Sequence, residues 1–151
     1  MRQVPTWDNY FMNIARTVAS RSKDPATVVG CVIVGADNHI LSTGYNGFTP
    51  GTKETPEMWE RPTKYQHVIH AEANAITHAT VPLHHHYTKM YCTMYPCIDC
   101  AKLIISSRIN ELYVSDLTYY SKQTEEFLAR GGVTIYKLKV PFKIIKGDVA
   151  C

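Results

Sequence analysis

The stretch TKMYCTMYPCIDCAKLIISS, residues 88–107, contains a strand-like run, residues 88–93, and then a helix-like run, residues 96–107. Pro96 suits the first turn of a helix, where its missing N–H costs nothing. Cys97 and Cys100 are three residues apart, so they share a face of that helix. The positive end of the helix favours both side chains as thiolates. The stretch therefore predicts a strand followed by a helix that presents two sulfur ligands at its start.

A second motif, His70-Ala71-Glu72, lies at the start of a helix predicted over residues 69–80. A catalytic Zn²⁺ takes three protein ligands and leaves its fourth position to water, and His70, Cys97 and Cys100 can supply the three. Glu72 is two residues from His70, which on a regular helix places it on a different side. Its carboxylate is therefore free to move protons on and off the bound water. The arrangement H-x-E…P-C-x-x-C is the signature of the zinc-dependent nucleobase deaminases.

Other interpretations of the same residues compete with a catalytic metal site. A Cys-x-x-Cys pair in an α/β chain is also typical of redox proteins. Because His67 lies three residues before His70, a closed structural cage of His67, His70, Cys97 and Cys100 is conceivable. The four side chains could also serve packing alone. We favour the catalytic interpretation, because each half of the motif occurs once, in the required order, before a helix-like segment.

The remaining elements follow from apolar periodicity and from turn residues. A helix from Thr6 or Asp8 to about residue 21 precedes a hairpin with strands at 28–34 and 39–44. A long irregular segment, residues 48–68, then leads to an alternation of helices and strands. This alternation implies a sheet covered by helices. After the helix at 69–80, the strand at 88–93 and the helix at 96–107, the pattern predicts a strand at 110–115, a helix at 122–129 and a strand at 133–138. We expect one domain over residues 1–151, with a core from 6 to 138 and a tail from 139 to 151.

Three segments have no regular periodicity. In Gly44-Tyr45-Asn46-Gly47, two glycines around an asparagine indicate positive φ or close approach to a bound molecule, although a plain turn is the simpler interpretation. The segment 48–68 contains apolar side chains, notably Trp59, and we expect it to fold back onto the domain. The tract 84–86 is three histidines, which we interpret as a solvated loop because no second set of ligands accompanies it.

Composition limits the classes of function. The chain is 45% hydrophobic and 19% charged, as is typical of globular proteins, and its net charge of +3 is dispersed. A mild positive balance suits a small anionic ligand better than a nucleic acid. Five cysteines, two of them in metal-type spacing, argue against a disulfide framework and for a reducing compartment. Residues 1–13 lack the apolar run of a signal peptide, and no stretch has the length of a membrane span. We therefore expect a cytoplasmic protein that has no membrane partner.

Taken together, the motifs are similar to those of the deoxycytidylate (dCMP) deaminase family within the cytidine deaminase superfamily. The resemblance covers about residues 6–138 and is carried by five segments: Arg21-Ser22-Lys23-Asp24-Pro25, Gly44-Tyr45-Asn46-Gly47, His70-Ala71-Glu72-Ala73-Asn74-Ala75-Ile76, Pro96-Cys97-Ile98-Asp99-Cys100-Ala101-Lys102, and Ser115-Asp116.

The resemblance implies a three-layer α/β/α fold with a five-stranded mixed sheet. It implies one Zn²⁺ per chain on His70, Cys97 and Cys100, with Glu72 as the proton shuttle. The implied reaction is hydrolysis of dCMP to dUMP and ammonia, which supplies dUMP for thymidylate synthesis. The chain departs from the family at Ala73, where a larger residue is common, and in lacking cysteine within residues 48–68, which is why we predict a single zinc.

The resemblance also suggests further contacts and regulation. The expected substrate-binding residues are Asn46 for the sugar hydroxyl, Ser22 and Lys23 for the phosphate, Ala71, and Tyr120, or else Tyr119, stacking on the base. Many members are hexamers activated by dCTP and inhibited by dTTP, and the candidate effector residues here are Gly44, Tyr45, Asn46, Gly47, Lys23 and Asn74. A dCMP/dCTP deaminase and a tRNA adenosine deaminase remain as alternatives, whereas free cytidine deaminases usually carry Cys in place of His70.

Overall fold

The structure is a computed structural model that describes residues 2–139, so all but the first residue of the expected tail lies outside the described residues. A mixed sheet of five strands has the order β2-β1-β5-β6-β7. β1 is antiparallel to both β2 and β5, whereas β5, β6 and β7 run parallel. The strands are β1 (Gly30–Gly35), β2 (Ile40–Tyr45), β5 (Thr88–Met94), β6 (Glu111–Asp116) and β7 (Thr134–Lys137), and a separate antiparallel pair consists of β3 (Gly47–Phe48) and β4 (Val68–Ile69).

Helices cover both faces of the sheet. α1 (Trp7–Ala19) packs on one face, mainly against β1 and β5, and α2 (Ala71–Thr77), α3 (Ile98–Ser106) and α4 (Lys122–Arg130) lie on the other. Because successive strand residues point to opposite faces, the core divides into two clusters. Val32 and Tyr113 pack on the α1 side, whereas Ile33 and Leu112 pack on the side of the other three helices. The expected three-layer α/β/α fold is confirmed.

The sequence-based boundaries hold to within two residues, except that α2 ends at Thr77 instead of residue 80. Both motif helices begin two residues later than expected. The helix expected at 69–80 is shorter, because Ile69 pairs with Gly47 in β4 and His70 is the extended N-cap residue of α2. The helix expected from Pro96 begins at Ile98, because Cys97 adopts the extended N-cap conformation. Both motifs therefore lie at helix starts, with their first ligand just outside the helix.

The glycine at position 44 does not have the conformation expected for it. Positive φ among the described glycines is confined to Gly51 and Gly132, and Gly44 lies inside β2 rather than in a turn. A Cβ at Gly44 would lie 2.3 Å from the amide nitrogen of Ala75 and 2.4 Å from the carbonyl oxygen of Ala71. The close approach is therefore real, but its partner is the backbone of α2, which rests directly on the strand.

The connection between β3 and β4 folds back on the domain, as expected. It contains two 3₁₀ turns, Pro56–Trp59 and Thr63–Gln66, and the Trp59 ring contacts the Phe48 ring with centroids 4.3 Å apart. The three histidines overlap another 3₁₀ turn, Leu83–His85, and they belong to no metal-binding group among the described residues. Within residues 2–139 no helix has both the length and the apolar character needed to cross a bilayer.

Candidate active site

The starts of α2 and α3 bring one imidazole and two thiols together. The ligand atoms of His70, Cys97 and Cys100 all lie within 4.8 Å of one another. His70 Nδ1 is 3.5 Å from the sulfur of Cys97 and 3.4 Å from that of Cys100. Within the described residues, this is the one cluster of three or more His, Cys, Asp or Glu side chains that could hold a metal ion. His67 is not a member, so the structure does not assemble the four-ligand cage.

The local chemistry of these side chains suits a borderline-soft metal such as zinc. The Cys97 sulfur accepts a hydrogen bond from the Cys100 N–H at 3.5 Å. Hydrogen bonds from the Cys100 thiol and from His70 lower the pKa of Cys97 to about 4, although burial opposes the shift. A thiolate is thus available as a ligand at neutral pH. The donor set of one nitrogen and two sulfurs leaves a tetrahedral zinc one position for a small molecule.

Glu72 lies on the first turn of α2 and lines the same cavity as His70 and Cys97. Its side chain is buried, and desolvation raises its pKa above the ordinary value, against the opposing effect of His70. A raised pKa makes a carboxyl group a stronger base, which suits a side chain that must both take up and release a proton. Its position beside the metal-binding group and its protonation behaviour fit the predicted role of proton shuttle.

A cavity of about 500 Å³ opens in front of this group. Asn46 lines it and is 5% exposed. Its amide oxygen accepts from Val29 N at 2.8 Å, and its amide nitrogen donates to Thr27 O at 2.9 Å and to Asp24 at 3.3 Å. These three bonds fix the side chain before any ligand arrives. Ala71, also expected at the substrate, lines the cavity as well.

A buried ion pair forms part of the cavity wall and was missed by the sequence analysis. Lys64 Nζ lies 2.8 Å from the Asp24 carboxylate, with the side chains 5% and 2% exposed. Asp24 also accepts from the N–H groups of Ala26 and Thr27. Burial raises the pKa of Asp24, but the bonds from Lys64 and the backbone outweigh it, so the pKa is lowered. The sequence showed only that the segment 48–68 contains Lys64. Because this segment has no regular periodicity, its course through the fold, and so the pairing of Lys64 with Asp24, could not be predicted.

Ser22 and Lys23, the residues expected at the phosphate, are not part of the lining of the 500 Å³ cavity. The Ser22 hydroxyl donates to the carbonyl oxygen of Asn46 at 2.8 Å, and Lys23 pairs with Glu54 at 3.0 Å. Lys23 lines a second cavity, although the adjacent Asp24 does line the 500 Å³ cavity. Arg61 lines the cavity instead, with its guanidinium 5.8 Å from the centroid of the Tyr65 ring. Arg61 has no ion pair with any carboxylate of the described residues.

Of the two tyrosines expected to stack on the base, Tyr119 lines the cavity and Tyr120 does not. Tyr65 and Tyr95 line it as well. The Tyr120 hydroxyl donates to Glu125, and its ring packs edge-on against Tyr95 and beneath the ammonium of Lys137. These contacts turn Tyr120 away from the cavity. The sequence offered both tyrosines, and the orientation of this loop could not be derived from its composition.

A second cavity, of about 370 Å³, lies on the other side of the Gly-Tyr-Asn-Gly segment. Its lining includes two cations and several aromatic or small residues: Arg21, Lys23, Tyr45, Gly47, Phe48 and Trp59. Asn74 does not line it, but its side-chain amide donates to the carbonyl oxygen of Tyr45 at 2.7 Å. Gly44 is covered by α2. Of the candidate effector residues, the structure thus brings Lys23, Tyr45 and Gly47 together and places Asn46 in the first cavity.

Comparisons with known proteins agree with this geometry. Residues 5–116 match the family model described as the cytidine and deoxycytidylate deaminase zinc-binding region. A probable deoxycytidylate deaminase of Caenorhabditis elegans is 43% identical over 107 residues, which cover 68% of this chain and 54% of that protein. The chain therefore spans about half the length of this relative. The deoxycytidylate deaminase of Mus musculus is 41% identical over 128 residues, 78% of this chain and 70% of the relative.

Among solved structures, the dCMP deaminase of cyanophage S-TIM5 in complex with dCMP and dUMP matches with a TM-score of 0.74 and 24% identity, over 91% of this chain and all of that one. This similarity supports the fold. The family model covers most of the chain and contains both motifs that form the His70, Cys97 and Cys100 group. The chain belongs to the cytidine and deoxycytidylate deaminase family.

Proposed function

We propose that the protein is a zinc-dependent hydrolase that converts dCMP to dUMP and releases ammonia. The observation that carries the proposal is the convergence of one imidazole and two sulfurs within 4.8 Å, beside the buried carboxyl of Glu72, at a cavity large enough for a nucleotide. The family membership and the names of the relatives support the same activity. The product dUMP would serve as the precursor for thymidylate synthesis.

The chemistry is divided between the metal and Glu72. When zinc is bound by His70, Cys97 and Cys100, it supplies a water whose pKa is lowered toward neutrality. Glu72 accepts the proton of this water and passes it to N3 of the cytosine ring. As the water oxygen forms its bond to C4, the same carboxylate would take the second proton from that oxygen and deliver it to the amine, whose bond to C4 then breaks to release ammonia. The raised pKa of Glu72 suits both transfers, because the side chain is charged for one and protonated for the other.

Other cavity residues orient the nucleotide. The fixed amide of Asn46 keeps an acceptor lone pair for a sugar hydroxyl, and Tyr119 can cover the base by stacking. Arg61 is a cation of the cavity lining that pairs with no carboxylate of the described residues, so it is our candidate for attracting the anionic nucleotide into the cavity. This arrangement replaces the expected contacts of Ser22, Lys23 and Tyr120.

We also propose regulation through the second cavity by dCTP as activator and dTTP as inhibitor, in a homohexamer. Arg21 offers positive charge for a triphosphate, and Lys23 does so when the triphosphate takes the place of its present partner Glu54, which also lines this cavity. Trp59 offers an aromatic face for a base. Asn46 faces the first cavity, while Tyr45 and Gly47 on either side of it face the second. Effectors that favour different positions of this segment would therefore change the position of Asn46.

The test is ammonia release from dCMP, with and without dCTP and dTTP, and with dCTP, cytidine and RNA as alternative substrates. We expect dCMP to be the preferred substrate, activation by dCTP and inhibition by dTTP. Turnover of RNA or cytidine in preference to dCMP would contradict the substrate assignment. A Glu72→Ala variant that retains zinc and parental activity would contradict the mechanism.

A further inference from the structure

Tyr95 carries a buried hydroxyl with no hydrogen-bond partner among the described residues. The side chain is 3% exposed and belongs to the wall of the 500 Å³ cavity. Burying a hydroxyl without a partner destabilises a folded chain, so such groups are rare and call for an explanation. Because Tyr95 is part of this wall, an atom of the ligand can become the missing partner once a neighbouring side chain uncovers the hydroxyl, which has almost no accessible surface in the free protein.

The same wall contains the start of α4. Ser121, Gln123 and Thr124 all line the cavity, and the Ser121 hydroxyl caps the helix by accepting from Thr124 N at 3.4 Å. The first N–H groups of a helix have no acceptor inside the helix, and its positive end attracts anions. The nearby carboxylate of Glu125 is already neutralised by Lys137 at 2.8 Å.

We propose that the Tyr95 hydroxyl donates a hydrogen bond to the phosphate of the bound nucleotide, which lies against the start of α4. Tyr95 is then a specificity-determining residue that makes the cavity prefer a nucleotide to a nucleoside. A neutral phenol suits this task, because an ionised phosphate only accepts hydrogen bonds. Tyr120, whose ring packs against Tyr95 at 5.3 Å and is 42% exposed, is the neighbour that would have to move away from the Tyr95 hydroxyl for the phosphate to reach it. The inference rests on the proposed function.

The experiment measures dissociation constants of dUMP and deoxyuridine by calorimetry on the zinc-loaded parent and on Tyr95→Phe. Tyr87→Phe is the matched control, because that hydroxyl is exposed and bonds Glu111 outside the cavity. We expect Tyr95→Phe to weaken dUMP binding about tenfold, the usual effect of losing a hydrogen bond to a charged group. Deoxyuridine binding should stay unchanged, and the melting temperature of Tyr95→Phe should not fall, since no partner is left unpaired. The control should bind both ligands as the parent does.

Three results would overturn the inference: unchanged dUMP binding, equal weakening of dUMP and deoxyuridine, or a lower melting temperature without any change in the preference for dUMP. Unchanged dUMP binding would show that the Tyr95 hydroxyl does not contact the ligand. Equal weakening would show that it contacts the base or the sugar. A lower melting temperature alone would show that its role is structural. Failure of the proposed function looks different, because the parent protein itself would then neither deaminate dCMP nor bind dUMP.

Discussion

Glu72 combines burial, a raised pKa and a place beside three metal-binding side chains. Glu72→Gln keeps the shape of the side chain and removes its ability to exchange a proton. We expect dCMP turnover to fall at least a hundredfold while zinc content stays at one per chain, since Glu72 is outside the ligand set. Ammonia release and metal analysis of the purified variant measure the two quantities.

Although Glu72→Gln should lower turnover, it should raise the stability of the folded chain. Because the pKa of Glu72 is raised in the folded state, the folded chain holds more protons than the unfolded chain just above the ordinary Glu value. Stability therefore decreases as pH rises through this range. In the zinc-free protein, Glu72→Gln should melt at a higher temperature than the parent at pH 8, with a smaller difference at pH 4. Glu126→Gln, at an exposed position, is the control, and a destabilised Glu72→Gln at pH 8 would contradict the argument.

The Asp24 carboxylate stabilises the cavity wall, because it pairs with Lys64 and accepts hydrogen bonds from the N–H groups of Ala26 and Thr27. Asp24→Asn leaves the ammonium of Lys64 buried without a counter-charge, which should cost about 3–5 kcal/mol of unfolding free energy. Since the pKa of Asp24 is lowered, its contribution is present above its ordinary value near 3.8 and is lost as pH falls below it. Urea unfolding of parent and variant at pH 7 and pH 3 checks both points. Asp37→Asn, which alters an exposed pair with His39, should change little.

At the level of elements, the contact between α2 and β2 depends on the absence of a side chain at position 44. Gly44→Ala would place a Cβ 2.3 Å from a backbone atom of α2, so the helix must move. His70 and Glu72, which lie at its start, would move with it. We expect loss of activity, weaker zinc retention and a lower melting temperature. Gly47→Ala is the control for stability, because the nearest atom to its Cβ is 3.8 Å away. Equal melting temperatures for the two variants would contradict this account.

Local patterns predicted the regular elements and the metal-binding group, because periodicity, capping and ligand spacing act over a few residues. His70 and Cys97 were identified from their spacing, although their capping conformation shifted both helix starts. Arg61 and Lys64 could not be placed, since their positions depend on the path of a long irregular connection. The choice of Tyr119 over Tyr120 likewise depends on tertiary contacts with Tyr95 that no local rule contains.

At the level of the whole molecule, a metal at the proposed site would join the starts of two helices that are otherwise held together by packing and by the contacts of His70 with the two sulfurs. His70 is the N-cap residue of α2, Cys97 is the N-cap residue of α3, and Cys100 lies in the first turn of α3. We expect a chelator to abolish activity and to lower the melting temperature by several degrees, with recovery of both when Zn²⁺ is added back. Calorimetry before and after dialysis against the chelator makes the measurement. A chelated protein that melts like the parent would show that the metal does not contribute to stability.

The strand order has a consequence for the sequence of events in folding. β5 lies at the centre of the sheet, between β1, which precedes it by more than fifty residues, and β6, which follows it. The imidazole ligand is encoded before this strand and the sulfur ligands after it, 27 residues from His70 to Cys97. The complete ligand set therefore forms only once α2 and α3, which flank β5 in the sequence, have packed together on the sheet. We expect metal capture to follow this packing, so that zinc binds the folded chain more tightly than the unfolded one.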